Sequence, residues 1–273
     1  MVRKIYIARH GFRLNWVNTN WKSPTGLARD PPLAAYGEKQ AQELADHFLS
    51  LPEEERPTVI FSSPYYRCLQ TSKPVSKALG IPIYVEHGLS EWYSPVAPGT
   101  GLHPRPGSAA YLQSYFPEID PSWSSIWHTS QKGEDVEEVH ERTNGFLEVF
   151  VPEVENRFGP DSRVLLVTHA ATTITLVRGL IGDRDHPLKV GCCSLTTFDR
   201  KERSKILGGW EAKLLADGQH LAGGTDREWG FEYIEVAYGK VVEDSGVPGT
   251  ELDLEGPVGA QISPAPAQIA SNL

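Results

Sequence analysis

Three stretches place imidazole or guanidinium side chains directly after short apolar runs. Arg9-His10-Gly11 follows Lys4 to Ala8, Ser63-Pro64-Tyr65-Tyr66-Arg67 follows Val59 to Phe61, and His169-Ala170 follows Arg163 to Thr168. A neutral imidazole is a competent phosphoryl acceptor, Arg offers phosphate oxygens a planar fork of donors, and Gly lets the backbone approach a ligand closely. Taken singly each stretch is weak. Arg-His-Gly recurs by chance, an Arg in a first helical turn is most often a surface residue, and a His at a helix start is most often a structural one. All three following β-type runs is informative, because ligands of open α/β sheets bind at the carboxyl ends of strands.

Other chemistries find less support. Cys68, Cys192 and Cys193 are an odd set with one adjacent pair, read as reduced thiols rather than a disulfide framework. None is followed by five residues and an Arg, as a cysteine-dependent phosphatase loop requires, and no spaced Cys/His set suggests zinc. Asp183, Asp185 and His186 fit a turn after a helix better than a metal site. The expectation is no metal ligand and no cofactor.

The runs Lys4 to Ala8, Val59 to Phe61 and Arg163 to Thr168 have the short, β-branched character of buried parallel strands. Helical patterns lie between them: Gly37 to Leu51, Pro64 to Leu79, about Glu134 to Phe158 with Pro152 expected to kink or split it, and Ala170 to Ile181. This alternation predicts an α/β fold, a mostly parallel sheet with helices on both faces. Residues 93–132, rich in Pro, Gly, Ser and aromatics, read as an insertion. Ser194 to Phe198, Trp210 to Leu215 and Trp229 to Val236 read as a β appendage, the first closing the sheet and the others forming a hairpin. The domain is expected over 1–240, and 241–273, rich in Pro, Gly and Ala, as a disordered tail.

The chain has 273 residues, enough for one α/β domain with an appendage, and a formal net charge of -9. That charge argues against a broad basic face for nucleic acid. No apolar run approaches the roughly 20 residues of a membrane helix, and the start has too short an apolar stretch for a secretory signal. An intracellular location is expected, cytoplasmic or nuclear.

Arg9-His10-Gly11, Ser63-Pro64 with Arg67 and Gln70-Thr71, Leu89-Ser90-Glu91-Trp92, and Val167-Thr168-His169-Ala170 stand in the order of the signature blocks of the histidine phosphatase, or phosphoglycerate mutase-like, superfamily. The chain resembles that family from about residue 3 to 200. By resemblance His10 is the nucleophile, Arg9, Arg67 and His169 hold the phosphate, and Glu91 is the general acid. Such an acid needs a raised pKa, expected from partial burial beside Trp92. Arg13, Asn15 and Trp92 are candidate substrate contacts, Arg13 and Asn15 serving equally well as loop residues bonded to backbone.

Phe12 stands where mutases of the family often carry Glu, which turns the expectation from a mutase to a phosphatase. Trp16, Trp21, Tyr65, Tyr66, Trp92 and Tyr93 near the blocks suggest an aromatic entrance for aryl phosphates, whether small molecules or phosphopeptides. Ile5 to Trp16, Pro64 to Leu69, Glu91-Trp92-Tyr93 and Leu165 to Ala171 are also similar to the phosphatase domain of a fungal TFIIIC subunit and its shorter paralogue. That likeness implies TFIIIC subunits as partners, and an assembly module with weak phosphatase activity as the rival reading.

Overall fold

The computed structural model describes residues 1–202, 204–237 and 240–262. In chain order its elements are β1 (Lys4–Arg9), α1 (Ala35–Ser50), β2 (Val59–Ser62), α2 (Tyr66–Leu79), β3 (Ile83–Val85), the short α3 (Ala109–Leu112), β4 (Trp127–His128), α4 (Val136–Phe158), β5 (Arg163–Thr168), α5 (Ala170–Ile181), β6 (Leu195–Arg200), β7 (Trp210–Asp217), β8 (Val236–Ala237), β9 (Lys240–Val241) and β10 (Gly259–Ala260). The main sheet has the order β3-β2-β5-β1-β6-β7. Its first four strands are parallel, while β6 and β7 run antiparallel to their neighbours. This is the mostly parallel α/β fold that the alternation of patterns predicts.

Every residue of β1 is buried, as expected for a strand covered on both faces. Alternation sends Ile5 and Ile7 into one core, with Phe146 and Phe150 of α4 and Leu176 and Leu180 of α5. Tyr6 and Ala8 enter the other, with Leu44 and Phe48 of α1 and Leu69 and Val75 of α2. Burying each Leu, Ile or Phe contributes about 1.5–3 kcal/mol relative to exposure, so these two layers fix where the strand ends lie.

Several expectations change. α4 runs unbroken through Pro152, started by a capping box between Asp135 and Glu138. The buried Phe150, Val151 and Val154 around the proline offset the lost backbone bond. The appendage hairpin forms from β6 and β7, not from Trp229 to Val236. That stretch makes a bridge from Trp229 to Val190, then a 3-10 turn over Phe231–Tyr233, and only at Val236 enters β8, which pairs with β9. Its alternating aromatics pack together, Trp229 against Phe231 at 5.2 Å, instead of lining a strand.

Residues 241–262, expected in a disordered tail, instead lie along residues 102–131. Leu102 N donates to Thr250 Oγ1 at 2.7 Å, Ser130 Oγ and Gln131 N donate to Glu255 Oε1, and β10 pairs with β4. A Pro- and Gly-rich segment has little core of its own, but its backbone groups find partners on a surface already built. The expectation of disorder for 263–273 lies outside the described residues. Among the described residues no helix is long and apolar enough to cross a membrane.

Candidate active site

β1, β2 and β5 end side by side, and the residues after them meet. Beyond β1 the chain turns at Gly11, where a Cβ would lie 2.7 Å from the Gly37 carbonyl oxygen of α1. Gly37 is equally constrained, since its own Cβ would meet Phe12 O. Gly11 N donates to Thr71 Oγ1 at 3.0 Å and Phe12 N to Gln40 Oε1 at 2.9 Å, so α1 and α2 together hold this turn.

His10 is 1% exposed, and its Nδ1 lies 2.8 Å from Gly11 O. A carbonyl only accepts, so Nδ1 carries the proton and Nε2 keeps a free lone pair. Burial, together with the charges of Arg67 and Arg9, holds this imidazole well below the ordinary histidine value. It is therefore neutral at neutral pH.

Arg67 sits in the first turn of α2 and His169 caps α5. Arg67 Nη1 bonds Asp30 Oδ1 at 2.9 Å, with both side chains 1% exposed, and Nη2 bonds Glu91 Oε2 at 3.1 Å. The other Asp30 oxygen accepts from Tyr66 N at 2.8 Å. Burial pushes the Asp30 carboxyl up, and Arg67 limits that rise. Ser63 Oγ lies 2.8 Å from His169 Nε2, and His169 Nδ1 lies 3.2 Å from Glu91 Oε2 and 3.2 Å from Arg67 Nη2. A proton on Nδ1 directed at Glu91, with the Ser63 hydroxyl donating to Nε2, satisfies both ring nitrogens. Burial brings His169 down to about 4 despite Glu91.

Glu91 departs from expectation. Burial alone would raise its carboxyl, but His169, Arg67 and Arg13 outweigh that and hold it well below the usual carboxylate range. The free site thus contains a carboxylate, not a poised acid. Trp92, expected to supply the burial, donates Nε1–H to Glu134 O at 2.8 Å and forms a wall.

A cavity of about 240 Å³ opens here, lined by Arg9, His10, Arg13, Glu91, Trp92 and Trp229, with Ala170 and Ala171 at the start of α5. Arg9 Nη1 is held by Val190 O and Arg227 O, and Arg13 stacks on Trp16 at 4.3 Å. The Nε atoms of Arg9, Arg13 and Arg67 are buried without partners. Three orphaned guanidinium N–H groups and a helix N-terminus suit an anion. His10, Glu91 and His169 also place donor atoms within 4.8 Å of one another, the geometry of a metal site. The surrounding arginines make that site hostile to a cation. Asp183 and His186 approach to 3.6 Å in the turn after α5, as expected of a turn.

Arg9, His10, Arg13, Glu91 and Trp92 therefore come together at the cavity, with Arg67 and His169 packed behind Glu91. Asn15 lies on the 3-10 turn Leu14–Trp16 and does not line the cavity. Of the other expected aromatics, Trp16 stands 6.4 Å from His10, Tyr65 packs on His169, and Tyr66 packs on Phe116. Asp30 and Trp229 were not singled out in the sequence. Asp30 sits in an aperiodic loop before Pro31-Pro32, and Trp229 lies outside every signature block.

The family model of the histidine phosphatase superfamily (branch 1) matches residues 5–213. The chain belongs to this superfamily. Among curated relatives of this superfamily member, the transcription factor tau 55 kDa subunit of Saccharomyces cerevisiae is 38% identical over 267 residues, covering 87% of this chain and 60% of the relative. The chain thus spans 60% of that relative's length. A probable phosphoglycerate mutase, GpmB of Escherichia coli K12, is 26% identical over 229 residues, 80% of this chain and 94% of the relative. In fold the chain is similar to the ecdysone phosphate phosphatase of the silk moth (Bombix mori) solved with tungstate, with a TM-score of 0.59 at 19% identity over 78% of this chain and 93% of the other. It is also similar to a mycobacterial glucosyl-3-phosphoglycerate phosphatase, with a TM-score of 0.50 at 20% identity over 78% and 98%. His10, Arg67, Glu91 and His169 all fall inside the matched span, whereas Trp229 lies beyond it.

Proposed function

We propose that this chain is a metal-independent phosphomonoesterase that works through a phosphohistidine at His10, with preference for aryl phosphates. The observation that carries the proposal is a buried, neutral His10 with a free Nε2 beside arginine N–H groups that have no partner. A phosphate dianion binds against Arg9 and Arg13 and the first N–H groups of α5, with Arg67 as a further clamp. Nε2 attacks phosphorus in line, the bond to the ester oxygen breaks, and that oxygen takes a proton from Glu91. Water then attacks the phosphohistidine while Glu91 takes the proton back, releasing phosphate and a neutral His10.

Glu91 becomes an acid only in the complex. The incoming dianion offsets the charges of Arg67 and Arg13, so the carboxyl that these groups keep ionised gains a proton as substrate binds. Trp92, Trp229 and the nearby Trp16 give a flat leaving group an apolar surface. Comparing kcat/KM for an aryl phosphate with that for 3-phosphoglycerate tests the preference. The aryl ester is expected to be faster, and a clear preference for phosphoglycerate would return the protein to sugar-acid metabolism.

A second reading, supported by the 38% identity to a transcription factor subunit, is assembly with TFIIIC subunits in the nucleus, with phosphatase activity incidental. Tight co-purification with such subunits and no turnover of any phosphoester would favour it.

A further inference from the structure

A second cavity, of about 320 Å³, adjoins the first and shares Trp92 and Trp229 with it. Trp92 and Trp229 are 6.3 Å apart and Phe231 closes the cluster at 6.0 Å from Trp92, so the two cavities meet along an aromatic partition. Beyond the partition the lining is Ile234, Val241 and Val242 with three acids, Glu235, Glu243 and Asp244. Arg29 engages Asp244 at 2.6 Å, which leaves the exposed Glu235 and Glu243 to set the charge of this cavity.

Apart from Trp92 and Ser94, these walls come from residues 229–244, after the span 5–213 that matches the superfamily. The cationic cavity is built, Trp229 apart, from residues of the matched span, and its anionic neighbour mostly from the segment that follows that span. That segment is secured at Asp244, whose N–H donates to Pro95 O, and whose carbonyl accepts from Ala97 N. The wall is therefore anchored to the loop that follows Glu91 and Trp92.

We infer that the second cavity is the leaving-group subsite, and that it selects aryl phosphates carrying a cationic group beyond the ring. The inference rests on the phosphatase reading above. Phosphate is drawn to the arginines, the ring lies along Trp92 and Trp229, and a positive group reaches Glu235 and Glu243. A substrate with a carboxylate in that place meets like charge and is rejected.

The test uses phosphotyrosyl peptides that differ only in Lys or Glu flanking the phosphotyrosine, with p-nitrophenyl phosphate as a reference without a flank. The Lys peptide is expected to have a kcat/KM about fivefold higher, since exposed charge pairs contribute about twofold to threefold each, and the margin should shrink in high salt. The double variant Glu235→Lys/Glu243→Lys should invert the preference between the two peptides. Equal kcat/KM for both peptides, with p-nitrophenyl phosphate still hydrolysed, overturns the subsite and leaves the phosphatase reading standing. Calorimetry with the matching non-hydrolysable phosphonate peptides reads the subsite apart from turnover. Tighter binding of the Lys peptide supports the subsite even if nothing is hydrolysed, whereas equal Kd values refute it.

Discussion

Arg67 is held between two carboxylates, Asp30 behind it and Glu91 before it. Asp30 fixes the guanidinium so that Nε stays unpaired, which makes it a positioning residue. Asp30→Asn should lower kcat/KM by on the order of 100-fold, as displacements of about 1 Å in a phosphate clamp do. The double variant with Arg67→Ala should cost little more than either change alone, because both act through one group. Wild-type kinetics in Asp30→Asn would remove this role. His10 gives a pH prediction: burial and Arg67 keep it neutral far below pH 6.5. After correction for the substrate's second ionisation near 6, kcat/KM should rise from pH 7 to 6, because Glu91 takes up a proton on binding while His10 stays neutral, whereas a fall centred on 6.5 would show an ordinary histidine. His10, Arg9 and His169 were legible because each abuts a strongly patterned strand. Asp30 was not, because its partner lies 37 residues away on another element.

At the scale of elements, Glu86 joins the segment Trp123 to Trp127 to the turn that presents Glu91. Its oxygens accept from Gly88 N at 2.8 Å, Trp123 Nε1 at 2.8 Å, Ile126 N at 3.0 Å and Trp127 N at 3.3 Å. Burial pushes this carboxyl up to about 7, while the four donors favour its ionised form. Glu86→Ala strands three buried N–H groups and the half-buried N–H of Trp127, and should destabilise the fold by about 3 kcal/mol or more. Urea unfolding measures this, and a loss under about 1 kcal/mol would contradict the account. The bounds of β5 and α5 agreed with their patterns because a long apolar run and a glycine stop are local signals. β3 escaped because three residues make no period, and its place is fixed by pairing with β2. The segment 241–262 escaped because its partners, among them Leu102 and Ser130, are more than a hundred residues away.

Across the whole molecule, the buried histidines set the response to acid. His87 is lowered to about 3, and His128, His140 and His169 to about 4, burial being the leading cause in each. In the unfolded chain these groups take up protons near pH 6.5, where the native state does not. Their contribution is therefore fully present above about pH 6.5 and is lost as pH falls toward 4. Glu86, between 4.5 and about 7, and the raised carboxyl of Asp30 act in the opposite sense against these four histidines. The urea midpoint should be lower at pH 5 than at pH 7, and a midpoint equal or higher at pH 5 would contradict this balance. The same interior that keeps His10 neutral makes it the phosphoryl acceptor, which a rapid-quench experiment with ³²P-labelled aryl phosphate tests directly. Acid-labile label should map to His10 within one turnover, persist in EDTA and be absent from His10→Ala, which should not turn over. Undiminished turnover in His10→Ala, or label on another residue, would contradict the account.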